Sequence, residues 1–165
     1  MLSKKDVKII KVLIGEVSLT RAPNLLQAIL GSCVGVCIYD EVEKLGGLAH
    51  VFLPSSDGHQ SEKLPSKFAN IAIPMLRDAM IKHGGHQKNL KAKIAGGANM
   101  FSKITVKPGQ HIGVLNLEAV KKALYDLDIP IISTDTGGNN GRKVEFELNT
   151  FNLCIDSPVS KGKII

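Results

Sequence analysis

Cys33 and His50 are the two residues of this chain whose types and spacing suit covalent chemistry. A thiol beside an imidazole can attack a carbonyl: the ring takes the proton, the sulfur forms the bond, and the ring returns the proton to the leaving group. The thiol stands in Leu30-Gly31-Ser32-Cys33-Val34-Gly35-Val36-Cys37-Ile38-Tyr39-Asp40 and the imidazole in Gly46-Gly47-Leu48-Ala49-His50. Both segments are apolar and strand-like, and the interval Asp40 to Lys44 is polar and turn-rich, so the pattern predicts a hairpin. Strands alternate faces with period two. Cys33, Gly35, Cys37 and Tyr39 therefore share one face, as do Leu48, His50 and Phe52 on the return strand. A turn centred between Glu41 and Val42 sets Cys33 directly opposite His50, where Cβ atoms lie about 4.5–5.5 Å apart.

The residues around the thiol fit the same chemistry. Gly31-Ser32 supplies a bend that can bare backbone N–H groups, and with the N–H of Cys33 these are the candidate donors to an oxyanion. Gly35 leaves open space beside the sulfur. The plainer reading is a packed core, since cysteine is among the most buried residue types and a lone histidine between apolar residues is more often a satisfied core residue.

Other chemistries fit less well. Three cysteines, an odd number, argue against a disulfide framework. Cys33 and Cys37 are four positions apart on one strand, roughly 13 Å, and cannot bridge. No paired short-spaced Cys or His ligands suggest zinc, and neither metal nor cofactor is expected. The net charge of +6 comes from 21 basic and 15 acidic residues scattered along the chain, and aromatic residues are 4% of it. Stacking platforms for nucleic acid are therefore scarce, and the charge reads as a solvated basic surface. Gly137 to Lys143 lacks the spacing of a phosphate loop and leads into a strand pattern, so it reads as a turn. The longest apolar stretch, Ala28 to Tyr39, is far short of the ~20 residues of a membrane-spanning helix. The first residues carry no apolar signal core, so a cytoplasmic protein is expected.

The elements that must hold the pair can be placed coarsely. With 165 residues, 44% of them hydrophobic, the chain suits one domain over positions 1–165, with 1–6 and 157–165 as loose tails. Val7 to Leu19 reads as a strand and Arg21 to Asn24 as a turn. Pro54 to Pro65 reads as a mobile loop bordering His50. Ser66 is placed to cap a helix running towards Lys82, kinked or begun at Pro74 and ended by Gly84-Gly85. Leu90 to Ala95 and Gln110 to Leu115 read as strands. Asn116 caps a second helix bearing Leu117, Val120, Leu124 and Leu127 on one face. Ile129 to Ser133, Arg142 to Leu148 and Phe151 to Asp156 complete the strands, with Cys154 as a core residue. The fold class is α+β, a layered sandwich of mostly antiparallel or mixed strands flanked by two main helices.

The strings LGSCVGVCIYD, GGLAHVFLP, KIAGGANMF, IGVLN and STDTGGNNGRKVEFEL, in that order from about Val12 to Ile155, resemble the CheD family of chemoreceptor glutamine deamidases. The resemblance implies that Cys33 is the nucleophile and His50 its base. It further implies a protein-glutamine glutaminase that releases ammonia through a thioester. The implied substrate is the helical cytoplasmic region of a methyl-accepting chemotaxis protein, and a CheC-like regulator is an implied partner. In that family a threonine six residues before the cysteine usually completes the site. This chain has Gln27 there, whose amide oxygen is placed to orient the ring as the third member of a triad. Two other readings stay open: a different Cys-His amide hydrolase, and a non-catalytic chemotaxis adaptor of the same fold.

Overall fold

Alternating apolar residues build strands that can bury one face, and a fully apolar run builds a strand buried on both. The computed structural model describes residues 6–58, 63–101, 103, 107 and 109–165. The strands are β1 (Ile9–Lys11), β2 (Val17–Arg21), β3 (Leu25–Leu30), β4 (Val34–Asp40), β5 (Leu45–Val51), β6 (Lys91–Gly96), β7 (Ile131–Thr136), β8 (Arg142–Glu147), β9 (Leu153–Ser157) and β10 (Ser160–Ile164). The helices are α1 (Ala69–Lys82) and α2 (Ile112–Asp126). One sheet runs β1-β3-β8-β9-β10 and the other β2-β5-β4-β6-β7. The pairs β1/β3 and β6/β7 are parallel and the remaining ones antiparallel. The result is the expected α+β sandwich of mixed sheets with two main helices.

β4 lies at the centre of its sheet, which explains its unbroken apolar character. Val34, Val36 and Ile38 pack towards α1 and α2, against Ile73, Leu76, Val120 and Leu124. Cys37 and Tyr39 point the other way, into the layer between the sheets with Leu26, Leu48, Val144 and Phe146. Each fully buried side chain of this size contributes about 1.5–3 kcal/mol, so both layers are needed to hold the hairpin in place. Arg142 on β8 bonds the side chain and the carbonyl of Asp135 on β7, tying the two sheets at one edge.

Several expectations are corrected. The segment Val7 to Leu19 is two strands in different sheets, because the chain turns at Leu13 to Glu16 and crosses between layers. The run Leu30 to Asp40 is likewise broken at residues 31–33, with β3 in one sheet and β4 in the other. Gln110 to Leu115 is no strand, since α2 begins at Ile112. Asn116 is inside that helix and wholly buried, on the stripe Gly113, Asn116, Val120, Leu124. Ser66 caps nothing. Its hydroxyl donates to the carbonyl of Gly15 at 2.6 Å, and α1 starts after Phe68. Cys154 is half-buried on the outer side of β9, whose core residues are Leu153 and Ile155. Residues 157–165 are no loose tail, because β10 pairs with β9. Residues 1–5, and 59–62 of the Pro54 to Pro65 loop, lie outside the described residues.

Candidate active site

His50 is near the end of β5 and is only 2% exposed. Its main chain is pinned on both sides by the turn between β1 and β2. The N–H of Gly15 donates to its carbonyl at 2.9 Å, and its own N–H donates to Glu16 at 3.0 Å. The ring is held by the same crossover, with Nδ1 2.9 Å from the carbonyl oxygen of Val12. A carbonyl can only accept, so Nδ1 carries the proton and Nε2 of the neutral ring presents a lone pair. Nε2 is buried and has no hydrogen-bond partner among the described residues. Burial lowers the pKa of the ring from its usual 6.5, more than the Val12 carbonyl and the Glu16 carboxylate raise it. The imidazole is thus neutral near neutrality, with its basic nitrogen unoccupied.

Cys33 stands in the bend of residues 31–33 that carries the chain from β3 into β4. It is 6% exposed and belongs to the inter-sheet cluster with Cys37 and Leu48. The three carbonyls of this bend are all bonded. That of Gly31 accepts from the N–H of Ala98 at 2.9 Å, and that of Cys33 from the N–H of Gly97 at 2.8 Å. The carbonyl of Ser32 accepts from Nδ2 of Asn116 at 3.1 Å. Gly96 permits this approach. Its φ is +103°, and a Cβ there would lie 2.2 Å from the oxygen of Cys33. Burial raises the thiol pKa above 9.0, opposed by the N–H of Cys33 itself. The resting pair is therefore thiol and imidazole, with no preformed ion pair.

The register differs from the expected one by two residues. Gly35, not Cys33, is opposite His50, because the pairing runs Val34 with Val51 and Asp40 with Leu45. A shift of two preserves the face, so Cys33 extends the side of β4 that His50 occupies on β5. Cys33 itself precedes the paired residues of β4, and it packs in the layer between the sheets with Cys37 and Leu48. No hydrogen bond joins the sulfur to Nε2 among the described residues. The space over Gly35 is filled, since a Cβ there would meet Cδ1 of Leu30 at 2.9 Å.

Gln27 reaches the site by another route than its side chain. The amide donates to Oε1 of Glu145 at 2.8 Å, on the neighbouring strand. Its main-chain carbonyl accepts from the N–H of Val12 at 2.8 Å, and the same Val12 holds the His50 ring. The residue expected to orient the imidazole therefore braces the one that does. Gln27, Val12 and His50 line a cleft of about 360 Å³ rimmed by Leu13 and Ile29. Ser32 lines a second one, about 140 Å³, with Met100 and His111. Val12 was invisible to motif reading because it acts through a carbonyl, and Asn116 was read only as a helix cap at the end of the IGVLN string. The second had one signal, a polar residue on the apolar stripe of a helix.

Among the described residues no cluster of three His, Cys, Asp or Glu side chains is placed to hold a metal ion. No helix among them is long and apolar enough to cross a membrane.

A family model described as CheD chemotactic sensory transduction matches residues 52–157. A Clostridium novyi protein named "Probable chemoreceptor glutamine deamidase CheD" is 46% identical over 138 residues, covering 83% of this chain and 85% of that one. One of the same name from Oceanobacillus iheyensis is 43% identical over 144 residues, covering 86% and 87%. Another, from Clostridium acetobutylicum, is 41% identical over 157 residues, covering 94% and 93%, and its alignment necessarily spans positions 33 and 50. Among solved structures, the Bacillus licheniformis hypothetical protein YfiH shares the fold at a TM-score of 0.51 and 19% identity, over 80% of this chain and 60% of that one.

Proposed function

The chain belongs to the CheD family, and we infer that it is a chemoreceptor glutamine deamidase in which Cys33 is the nucleophile and His50 the general base and acid. The observation that carries the reading is the state of His50: Nδ1–H engaged by Val12, Nε2 unpartnered, and the ring on the face to which Cys33 belongs.

The resting pair is neutral, so proton transfer accompanies attack. As Sγ of Cys33 bonds to the side-chain carbonyl carbon of a substrate glutamine, the thiol proton passes to Nε2. The small rearrangement that brings sulfur and ring into line belongs to substrate engagement, since catalytic contacts tighten in the bound complex. The oxyanion is met by backbone donors. In a trans peptide the C=O of one residue and the N–H of the next point to opposite sides. The Gly31 carbonyl is taken by Ala98, so the N–H of Ser32 faces away from that contact, available to the oxyanion together with the N–H of Cys33. Collapse of the intermediate breaks the C–N bond, and Nε2 returns its proton to the departing ammonia. Water attacks the thioester with the same nitrogen as base, leaving glutamate and the free thiol.

A receptor cytoplasmic fragment incubated with the protein gains acid at specific glutamines, read by peptide mass spectrometry. No conversion by the wild type, or equal conversion by Cys33→Ser, overturns the reading. A CheC-like regulator is the further partner that this reading supplies. Its binding is expected to be weakened by excess receptor fragment and to survive Cys33→Ser.

A further inference from the structure

Asn116 is a fully buried polar residue on the core-facing stripe of α2, a position that an apolar side chain would ordinarily fill. Its amide nitrogen makes two bonds, to the carbonyl of Ser32 at 3.1 Å and to that of Phe52 at 3.0 Å. Its oxygen is buried without a partner among the described residues. One of those carbonyls belongs to the residue immediately before the nucleophile. The other belongs to the second residue after His50. A single NH2 group therefore joins the bend carrying the thiol to the end of the strand carrying the base.

We propose that Asn116 is a positioning residue for the reaction: by holding the Ser32 carbonyl it sets the plane of the Ser32–Cys33 peptide and so aims the Cys33 N–H at the oxyanion. This rests on the assignment of Cys33 as the nucleophile. The peptide is trans, so a carbonyl drawn towards α2 turns the N–H of Cys33 away from it. Two neighbours support the arrangement. Gly113, one turn before Asn116, lets α2 approach so closely that a Cβ there would lie 2.5 Å from the carbonyl of Gly97. Gly97 in turn holds the carbonyl of Cys33 at 2.8 Å. The bend is thus gripped from both sides by one packed unit. The N–H and the sulfur belong to the same residue, and that N–H opposes the rise that burial causes in the thiol pKa. An oxyanion formed on a carbon bonded to that sulfur would be close to the same donor.

The test uses the intact protein with a receptor cytoplasmic fragment as substrate. Asn116→Ala is expected to lower kcat by about tenfold to a hundredfold with KM within about twofold, since an oxyanion donor acts in the transition state more than in binding. Val120→Ala, on the same buried stripe but without bonds to the bend, is the packing control, expected to lower thermal stability with kcat within about twofold of wild type. Asn116→Asp, close in shape, can donate one bond only while its carboxyl is protonated. Its kcat is expected to fall as pH rises, along a limb absent from wild type. The proposal is overturned if Asn116→Ala loses no more kcat than Val120→Ala, or if Asn116→Asp follows the wild-type pH profile; should the alanine variant not fold, the aspartate profile decides. Cys33→Ser assayed beside them separates the two failures, because activity surviving there would remove the nucleophile assignment itself.

Discussion

Nδ1 of His50 donates to the main-chain carbonyl of Val12 at 2.9 Å, across the crossover that links the two sheets. This bond selects the tautomer in which Nε2 is the basic nitrogen, with a carbonyl where a triad has a carboxylate or amide. A carbonyl carries no full charge, so it steadies the ring without strongly favouring imidazolium. The consequence is a neutral ring near neutrality, as the thiol of Cys33 is also neutral there.

Activity should therefore depend on a deprotonated His50 whose pKa lies below 6.5. The acid limb of kcat/KM is expected below that pH, measured with receptor fragment. Stability follows the same sign. Between pH 6.5 and the lower folded value, the unfolded chain binds a proton that the folded ring does not, so stability falls as pH falls through this window. Chemical denaturation across pH should show that slope, and His50→Gln should remove it.

The two inter-sheet cysteines should separate by function. Cys33→Ser is expected to abolish deamidation and leave the melting temperature close to wild type. Cys37 is 1% exposed and its thiol pKa is raised by burial. Cys37→Ala should retain turnover while losing about 1 kcal/mol of stability. Iodoacetamide should label Cys33 slowly near neutrality and faster above pH 9.0, reflecting its raised pKa.

Gly96→Ala should disable the site by pushing on the bend that carries Cys33. Its φ of +103° is unfavourable for alanine, and the new Cβ would fall 2.2 Å from the carbonyl of Cys33. We expect a loss of about 1–3 kcal/mol by thermal or chemical unfolding. Activity measured under conditions where the variant remains folded should fall by about tenfold or more, since a misplacement near the reacting atoms lowers rate steeply.

Gln27→Ala should keep activity within about threefold of wild type, a change of well under 1.4 kcal/mol in the barrier. Its carbonyl, which braces Val12, is common to every residue type. Steady-state kinetics on the receptor fragment measures this directly. A far larger loss would return the amide side chain to the ring-orienting role expected from the sequence.

Much of the site was legible before any coordinates. Period-two alternation placed Cys33 on the face that His50 shares, and that survived a register error of two, because faces repeat every two residues. The strand, turn and helix signals around the hairpin, and the ordered glycine-rich strings, were enough to identify an α+β fold and its family. What the sequence by itself determined was thus local: which residue types could do chemistry, which face they point to, and which runs are apolar. Tertiary structure alone decided the rest. The apolar run before Asn116 fits a strand or a helix; in the fold it is the first turn of α2, where Gly113 packs against the carbonyl of Gly97. The partners of His50 and of the Cys33 bend are main-chain carbonyls and amides at Val12, Gly97 and Ala98. Backbone groups are the same in every residue, so their placement is written in how the sheets stack and cross, not in the identity of the side chains.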